Sequence, residues 1–386
     1  MNGVGIAFHE HNQVNYLNPA SYSAVDSLSF IFDVGITGQI TNFKEGGTRV
    51  NARNSDFEYA VAAFRVAKHL GVSFGIIPFT NGGYNCSYTG DVGDNMEDVT
   101  YTDTYDGEGG IHQIYFGMGW EPFKGFAFGA NISYLWGDYE HTVSNEYSDA
   151  YINTLSRVYS AEVRNYKLDL GVQYTFRIFK DNWVTLAATY SPGHNLKSDA
   201  ELMMYSNNSQ TGVSDTTTYS IRHALELPTM IGGGLMWNYK NQLKVGFDYT
   251  LQQWADIAYP LYRESGGVSS YTLQNGIYKD RHKFNLGLQY IPSERHRNFL
   301  KRVSYRAGVS YATPYYSVNG LEGPKEISVS AGFGIPIMNT YNNRSILNIS
   351  GQWVRSTAKD LIQENTFRIN IGFTFNERWF MKWKVE

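Results

Sequence analysis

The chain has 386 residues, of which 16% are aromatic and 38 are glycine, and its formal net charge is -4. A mean hydropathy of -0.37 and the lack of any run of about 18 apolar residues exclude helical membrane spans. Because helical spans are excluded, any insertion into a membrane must be by β-strands. The small net charge gives no reason to expect a nucleic acid as a partner.

About fourteen stretches alternate apolar and polar residues with a period of two, and their connections are alternately short and long. This combination is typical of a membrane-spanning antiparallel β-barrel. A soluble β-sandwich also alternates, but its outward face collects charge. Here the minority face is mostly Gly, Ser, Thr, Asn and Gln, which suits a crowded, wet interior. The predicted fold is an all-β barrel over residues 27–377, and a soluble all-β protein is the alternative.

Residues 1–26 show no sustained alternation and precede the first strand, which is predicted from Ser27 to Phe43. So short a segment cannot bury a core of its own. A barrel of about fourteen strands has a lumen too wide to be filled by wall side chains alone. We therefore expect residues 1–26 to fold into the lumen as a plug that includes Asn18, Pro19 and Ala20.

The third predicted strand is interrupted. Its residues 70–76 alternate apolar side chains with Gly and Ser, and then Pro78 and the pair Gly82 and Gly83 break the pattern. Proline cannot donate to a strand ladder, and glycine often marks a bulge. We therefore expect pairing with a neighbouring strand to fail locally. The alternative is that Pro78 only starts the long loop that follows.

Later strands repeat one phase. The apolar members lie at every second position of Leu168–Phe176, Leu243–Leu251, Phe284–Tyr290, Ile327–Ile335 and Phe367–Phe375. We expect these positions to face lipid, so that Ile371 points outward while Asn370 and Gly372 point inward. Residues 378–386 follow the last strand as a tail, for which the sequence predicts no role.

The connections predict an orientation. The short ones run from Trp120 to Phe126, Phe176 to Trp183, Trp237 to Leu243 and Ile337 to Ser345. The long ones run from Phe43 to Ser55, Thr80 to Gly110, Gly137 to Arg157, Ser191 to Thr218, Gln253 to Asp280, Thr313 to Pro324 and Arg355 to Asn365. Bacterial outer-membrane barrels keep short turns in the periplasm and long loops outside, which predicts that both termini are periplasmic. Aromatic residues near strand ends resemble interfacial girdles: Trp120, Trp136, Trp183, Trp237, Tyr290 and Trp353.

Several motifs, in this order, resemble the FadL/TodX (OMPP1) family of outer-membrane transporters of hydrophobic compounds. Asn18-Pro19-Ala20 is similar to the NPA motif of that family's N-terminal plug, called the hatch. Residues 227–254 look like its Pro-then-glycine strand, tight turn and Trp-ended strand, and residues 281–316 resemble its later hairpin. The ending from Asn365 looks like Bacteroidetes members. No signal peptide precedes Met1, so we expect a mature, trimmed or late-started form of a bacterial outer-membrane protein.

The resemblance implies passive uptake of hydrophobic molecules such as long-chain fatty acids. Its expected steps are capture by external loops, a hatch-gated lumen pocket, and lateral release through a third-strand kink at Pro78, Gly82 and Gly83. The expected partners are a hydrophobic small molecule or fatty acid, outer-membrane lipid and lipopolysaccharide. We expect a monomer without a cofactor.

Charged residues on the polar phase are candidate site residues. They are Lys167, Asp169, Lys244, Asp248, Lys283, Arg306 and Arg368. They could hold the hatch by charge-assisted hydrogen bonds, or a cation among them could hold the carboxylate of a fatty acid. His9 and His11 are better explained as hydrogen-bonded hatch residues than as metal ligands, and no metal site is predicted.

Two alternative functions stay open. One is a FadL-like barrel that acts as a partner or shuttle component of a secretion system. The other is an outer-membrane lipid-modifying enzyme, although no nucleophile elbow singles out a serine, so no enzyme is predicted. An apolar lumen near the hatch would favour uptake, and an accessible outer surface would favour the partner role.

Overall fold

The computed structural model describes residues 1–45, 48–93, 99–293, 296–318, 320–338, 344–359 and 362–378. Asp94, Glu97 and Asp98, in the long connection from Thr80 to Gly110, and the tail residues 379–386 lie outside these ranges. Two short 3-10 helices occur in the described part, Pro19–Ala24 and Phe299–Lys301. Neither is long and apolar enough to cross a membrane.

Fourteen strands form the wall. They are β1 (Ser29–Glu45), β2 (Thr48–Ala67), β3 (Leu70–Pro78), β4 (Thr100–Phe123), β5 (Phe126–Tyr147), β6 (Thr154–Phe179), β7 (Asn182–Ser191), β8 (Thr229–Tyr239), β9 (Leu243–Gln253), β10 (Arg281–Tyr290), β11 (Ser304–Ala312), β12 (Lys325–Met338), β13 (Arg344–Thr357) and β14 (Gln363–Arg378). Each pairs antiparallel with the next. The ladder between β1 and β14 closes the sheet. The prediction of an all-β barrel of about fourteen strands is confirmed.

The alternation sets which side chains face out. On β14, Ile371 is 41% exposed on the outer surface, whereas Thr374 is buried in the interior. Ile371 also lies opposite Ile36 on β1 and Ile349 on β13, so the outward phase is continuous across three strands. A large apolar surface on the outside is the arrangement that a strand-spanning membrane protein requires.

Several predicted loops are strands. β1 and β2 continue to Glu45 and Thr48, and β5 and β6 continue to Tyr147 and Thr154. The reason is that a strand beyond the apolar belt has water on both faces, so its ladder persists without the alternation used for prediction.

The long connections carry further strands. Tyr84–Asp91 pairs with β4, while Ala200–Asn207 and Ser214–Ile221 extend the sheet beyond β6. Tyr259–Ser265 and Val268–Gln274 form a separate hairpin. Two short bridges complete the described elements, pairing Glu226–Leu227 with His194–Asn195 and Ser317–Val318 with Leu321–Glu322.

Tight turns lie at the opposite end, which we call the short-turn end. After β8, Lys240 and Asn241 both have a φ of 55°, as the two central residues of a type I′ hairpin require. The residues after β1 are at the other end, the long-loop end. The start of β1, the end of β14 and the short turns therefore share one end of the barrel.

Candidate functional site

The first 26 residues lie inside the barrel and contact the wall on several sides. Asn2 Nδ2 donates to Ser328 Oγ on β12 at 2.8 Å. On the other side, Arg65 Nη2 of β2 donates to Ser23 O at 3.2 Å. We call residues 1–26 the hatch. It occupies the lumen rather than forming a separate domain outside it.

Asn18 connects parts of the hatch to each other and to the wall by hydrogen bonds. Its Nδ2 donates to Ile6 O at 2.8 Å and to Val172 O of β6 at 3.3 Å. Its Oδ1 accepts from Ala20 N at 3.1 Å, which caps the helix Pro19–Ala24. Pro19 stands at the start of that helix, where its missing N–H costs no hydrogen bond. Asn18 is fully buried, and it links two hatch segments to the wall.

Inward-facing glycines make room for this hatch. A Cβ at Gly71 would overlap Tyr22 O, and a Cβ at Gly129 would overlap the backbone of Pro19 and Ala20. The hatch also approaches closely at Gly117, Gly119, Gly171, Gly232, Gly234, Gly246 and Gly287. At Gly71, Gly119, Gly129 and Gly287 the overlapping atoms include hatch backbone, so a side chain there would push the hatch away from the wall.

Two of the predicted lumen charges hold the hatch. Asp248 Oδ2 accepts from Gly5 N at 2.6 Å and from Ile6 N at 2.9 Å, and Asp248 is fully buried. Lys244 forms an ion pair with Glu10 of the hatch. Hydrogen bonds to an ionised group are the stronger kind, so these contacts fix the hatch to β9.

The other predicted charges have different positions. Lys167 and Asp169 form an ion pair with each other on β6, and Asp169 also accepts from Ser191 Oγ. Lys283 lies near the long-loop end of β10. On β14, Arg368 Nε donates to Gln39 Oε1 at 2.8 Å. The seven residues therefore do not form one site.

A lumen cavity of about 300 Å³ remains between the hatch and the wall strands β11–β2. Its hatch side combines the apolar side chains of Val4, Phe8, Val14 and Leu17 with those of Gln13, Asn15 and Tyr16. Its wall side is mostly polar and carries Asp33, Gly35, Glu58, Tyr59, Arg306, Asn348, Ser350, Asn370 and Gly372, with Ile36 and Ile371 at its margin. An apolar pocket beside the hatch was expected, and the wall side of this cavity departs from that expectation.

Hydrogen bonds fix the polar side chains of this cavity. Arg306 Nε donates to Gln289 Oε1 at 2.7 Å, and its Nη1 donates to Asn348 Oδ1 at 2.5 Å. Tyr59 OH donates to Asp33 Oδ1 at 3.3 Å. The cavity therefore presents charged groups in set positions instead of mobile ones.

The backbone ladder between β2 and β3 ends before β3 does. Their ladder ends at the pair Ala60–Ile76. The other edge of β3 stays paired with β4, through Pro78 opposite His112 and through Phe79 N, which donates to Ile111 O at 2.7 Å. Because successive N–H groups on a strand point to opposite sides, the missing N–H of Pro78 falls on the β2 side. The interruption therefore separates β3 from β2 and leaves β4 attached.

Nearer the long-loop end, a side-chain hydrogen bond joins the two strands again. Asn81 Nδ2 donates to Asp56 Oδ1 at 2.7 Å. On β2 the opening spans the four steps from Ala60 to Asp56, or about 13 Å of strand. We call this gap the window. It contains a β-bulge, because the β1–β2 register passes from Gly35–Tyr59 to Ile36–Phe57 and skips Glu58.

The predicted glycine pair lies beside the window, not in its edge. Gly82 N donates to Gly109 O of β4 at 3.2 Å. Gly83 N donates to Asn81 Oδ1 at 3.1 Å and so helps to orient the side chain that closes the window. Of the three residues predicted for lateral opening, Pro78 alone lies on the β3 edge of the window.

An apolar groove of about 840 Å³ crosses the outer wall at the lower end of the window. Small side chains at Ala60 and Ala62 form its floor, between Phe32 of β1 and Phe74 of β3. It continues past Ile114, Phe116, Ile132, Tyr134 and Tyr166. We call it the outer groove. The window therefore has a polar cavity on one side and an apolar groove on the other.

Aromatic side chains cluster at the long-loop end. Trp254 lies 5.4 Å from Tyr278 and 5.6 Å from Tyr315, measured between ring centroids. Tyr278 and Tyr315 stack at 6.3 Å, and Arg281 lies over the Tyr315 ring at 5.3 Å. Burial among these groups raises the pKa of the Tyr278 phenol. The cluster joins two long connections into one aromatic surface.

The sequence predictions missed the residues that define the window and the cavity wall. Asp33 could have been found, because it lies on the polar phase of β1 between Phe32 and Val34. Glu58 could not, because its bulge breaks the period on which the phase depends. In the described ranges, no three His, Cys, Asp or Glu side chains come together as a metal site.

Solved structures show the same fold. The CymD monoaromatic hydrocarbon channel is 14% identical, with a TM-score of 0.65, and the match covers 98% of this chain and 96% of that chain. The Ralstonia pickettii toluene transporter TbuX is 13% identical, with a TM-score of 0.60 and coverage of 93% and 92%. A Pseudomonas aeruginosa FadL homologue is 11% identical, with a TM-score of 0.56 and coverage of 97% and 94%. The resemblance to FadL/TodX proteins is thereby confirmed for the fold.

Sequence comparison gives a more specific result. The chain matches no curated protein sequence. One family model matches it over residues 1–386, and that model describes BamG. Since the match extends over the whole length, hatch and wall together, the chain belongs to the BamG family.

Proposed function

We propose that the protein is a bacterial outer-membrane channel for passive uptake of hydrophobic molecules, which leave the barrel sideways through the window. The observation that carries this proposal is the position of the window. It lies between the lumen cavity, lined by Glu58 and Tyr59, and the outer groove, lined by Ala60 and Ala62. Neighbouring residues of β2 thus line the inner space and the apolar outer surface.

The route follows from these surfaces. The aromatic cluster around Trp254 captures a hydrophobic molecule at the long-loop end, since ring faces bind apolar compounds from water. The hatch blocks a straight path through the lumen to the short-turn end, because Tyr22 and Pro19 pack directly against the inward-facing glycines. The molecule then moves past Glu58 into the outer groove and the lipid.

The proposed substrates are hydrocarbons or long-chain fatty acids. Two proteins with this fold support the choice, since CymD is a monoaromatic hydrocarbon channel and TbuX is a toluene transporter. We further propose periplasmic termini, a monomeric barrel in contact with lipid and lipopolysaccharide, and a Bacteroidetes-type ending from Asn365. The shared end of the short turns and both terminal strands supports the orientation.

Blocking the window with a label tests the route. Phe57 lies on the β2 edge, faces outward and is outside the lumen cavity. A Phe57→Cys variant in a Cys86→Ser background is labelled with a small methylthio group or with a bulky maleimide. We expect the bulky label to abolish most uptake of radiolabelled toluene or palmitate into vesicles, and the small label to leave it nearly unchanged.

Asn51→Cys is the matched control. Asn51 lies on the same strand, paired with Asn42 beyond the window, so its bulky label should leave uptake unchanged. Equal uptake by the two bulky-labelled proteins would contradict release through the window. Loss of uptake in both would place the label's effect on capture, which also contradicts it.

A partner role is the second candidate, favoured by one exposed strand. Tyr84–Asp91 is exposed along almost its whole length, and in the described part of the chain its ladder is with β4 only. An edge strand of this kind can accept a strand from another protein. Ser87→Lys and Thr89→Lys should abolish a partner's co-purification from native membranes while leaving toluene uptake intact. Unchanged co-purification would remove this candidate surface.

A further inference from the structure

The lumen cavity carries three charged side chains without a close ion pair, of which Asp33 is buried, Arg306 is partly buried and Glu58 is exposed. Asp33, Glu58 and Arg306 all line it, and none of them forms an ion pair with a described residue. The hydrogen-bond partners of Arg306 and Asp33 are neutral amide and hydroxyl groups. For Asp33 and Arg306, removal from bulk water without a close counter-charge is costly, and a ligand of opposite charge would offset that cost.

These charges have a fixed order around the wall. Arg306 stands on β11, Asp33 on β1 and Glu58 on β2, and the cavity runs past β13 and β14 between the first two. Glu58 is the bulged residue at the window, whereas Arg306 is at the far end. Travelling inward from the window, a ligand meets carboxylates first and the guanidinium last.

We propose that the lumen cavity binds the polar head of an amphiphile that carries a cation next to its tail and an anion at its outer end. The anion reaches Arg306, and the cation lies between Glu58 and Asp33. This inference rests on the proposed function in one respect, that the tail leaves through the window. It adds a zwitterionic amphiphile of defined polarity to the hydrocarbons and fatty acids proposed above.

The order of charges excludes the reverse head group. In a phosphocholine the anion is next to the tail and the cation is terminal. Such a head would bring its phosphate against Glu58 and Asp33, and its ammonium against Arg306. Both contacts are repulsive, so discrimination comes from repulsion as well as attraction. Ligands with one charge satisfy only one end of the cavity.

Four surfactants with the same dodecyl tail provide the test. They are dodecyl betaine, dodecylphosphocholine, dodecyltrimethylammonium and laurate, titrated by calorimetry against the full chain in maltoside micelles. We expect dodecyl betaine to bind about tenfold or more tightly than each of the others, which corresponds to about 1.4 kcal/mol. Equal affinities, or tighter binding of dodecylphosphocholine, would overturn the proposal.

Charge-neutral variants locate the effect. Arg306→Gln should lose the preference for the betaine over dodecyltrimethylammonium, and Glu58→Gln should lose the preference over laurate. Arg306→Lys keeps the charge and should keep most of the preference, which separates recognition from misfolding. Arg53→Gln, on β2 outside the cavity, is the matched control and should bind like the parent. Preferences that survive both Arg306→Gln and Glu58→Gln would overturn the assignment.

Failure here is distinguishable from failure of the window route. If labelled Phe57→Cys blocks toluene uptake but the four surfactants bind equally, uptake stands and the head-group inference is wrong. If the betaine is preferred although labelled Phe57→Cys still transports toluene, the cavity assignment stands and the window route is wrong.

Discussion

The inner wall has two arcs that treat the hatch differently. From β3 to β10, glycines at positions such as Gly71 and Gly129 let the hatch backbone touch the wall. In that arc, buried polar groups such as Asp248 are bonded to the hatch. From β11 to β2 the hatch also contacts the wall, for example at Ser328, but Arg306 and Asp33 face a cavity. Glycines on the first arc therefore determine where the hatch lies. On the second arc, the charged side chains of Arg306 and Asp33 are not bonded to the hatch and can contact a ligand.

Both arcs face the lumen only if alternate residues of each strand point inward as described. The substitution Ile371→Arg tests this assignment with the largest expected effect. Ile371 faces outward near the middle of β14. An arginine facing lipid near mid-membrane should lower the free energy of unfolding by about 2–4 kcal/mol. The measurement is urea unfolding in lipid vesicles, with Ile371→Leu as control. A cost near zero would mean that β14 is turned the other way.

In the packed arc, Gly129→Val should displace the hatch. Its side chain would overlap the backbone of Pro19 and Ala20, and overpacking of this kind costs about 1–3 kcal/mol. Gly233→Val is the matched control, because no atom lies within 4 Å of a Cβ there. We expect faster proteolysis of residues 1–26 and higher conductance in planar bilayers for Gly129→Val only. If both variants behave alike, the glycines do not seat the hatch.

The two buried carboxylates should differ in what they hold. Asp248→Asn weakens two bonds to hatch amides and should loosen the hatch by about 1 kcal/mol, since charged acceptors bind more strongly than neutral ones. Asp33→Asn should leave the hatch in place, because Asp33 faces the cavity. Hydrogen exchange of Gly5 and Ile6 amides measures the difference. If these amides are equally protected from exchange in the two variants, the two arcs do not differ in how they hold the hatch.

The smallest effect is expected at Tyr59→Phe. It removes one long hydrogen bond, of 3.3 Å, to Asp33, which is worth about 0.5 kcal/mol. Urea unfolding in vesicles should show little change in the free energy of unfolding. A decrease of more than about 2 kcal/mol would show that the arc from β11 to β2 is as tightly packed as the arc from β3 to β10.

The sequence was sufficient for features that depend on local order. Alternation such as that of Phe367 to Phe375 predicted the number of strands and their phase, because one face of every wall strand meets an apolar surface. Pro78 predicted a weakened ladder, since a missing amide is a property of the residue itself. It could not say which neighbour is lost, because that depends on the direction of one N–H in the folded sheet.

Features made by distant residues were not predictable. The lumen cavity brings Arg306 near Asp33 through the closure between β1 and β14, a contact between the two ends of the wall. The seven predicted charges shared a phase, but a phase gives no position around the barrel. Lys167 and Asp169 therefore became a local pair, while Lys244 met Glu10 of the hatch.

Closure by the first and last strands also constrains the order of folding. The ladder from Ser29–Arg378 to Lys44–Gln363 joins residues more than 300 positions apart, so it carries a large loop-closure entropy and forms late. The hatch directly precedes β1, and it lies within the ring that this ladder completes. Residues 1–26 must therefore be gathered against the inner face of the unclosed sheet before the seam forms, or else enter through an end of the finished cylinder. The glycine-lined strands β4 to β6 form one continuous local meander and offer the earliest surface for that gathering.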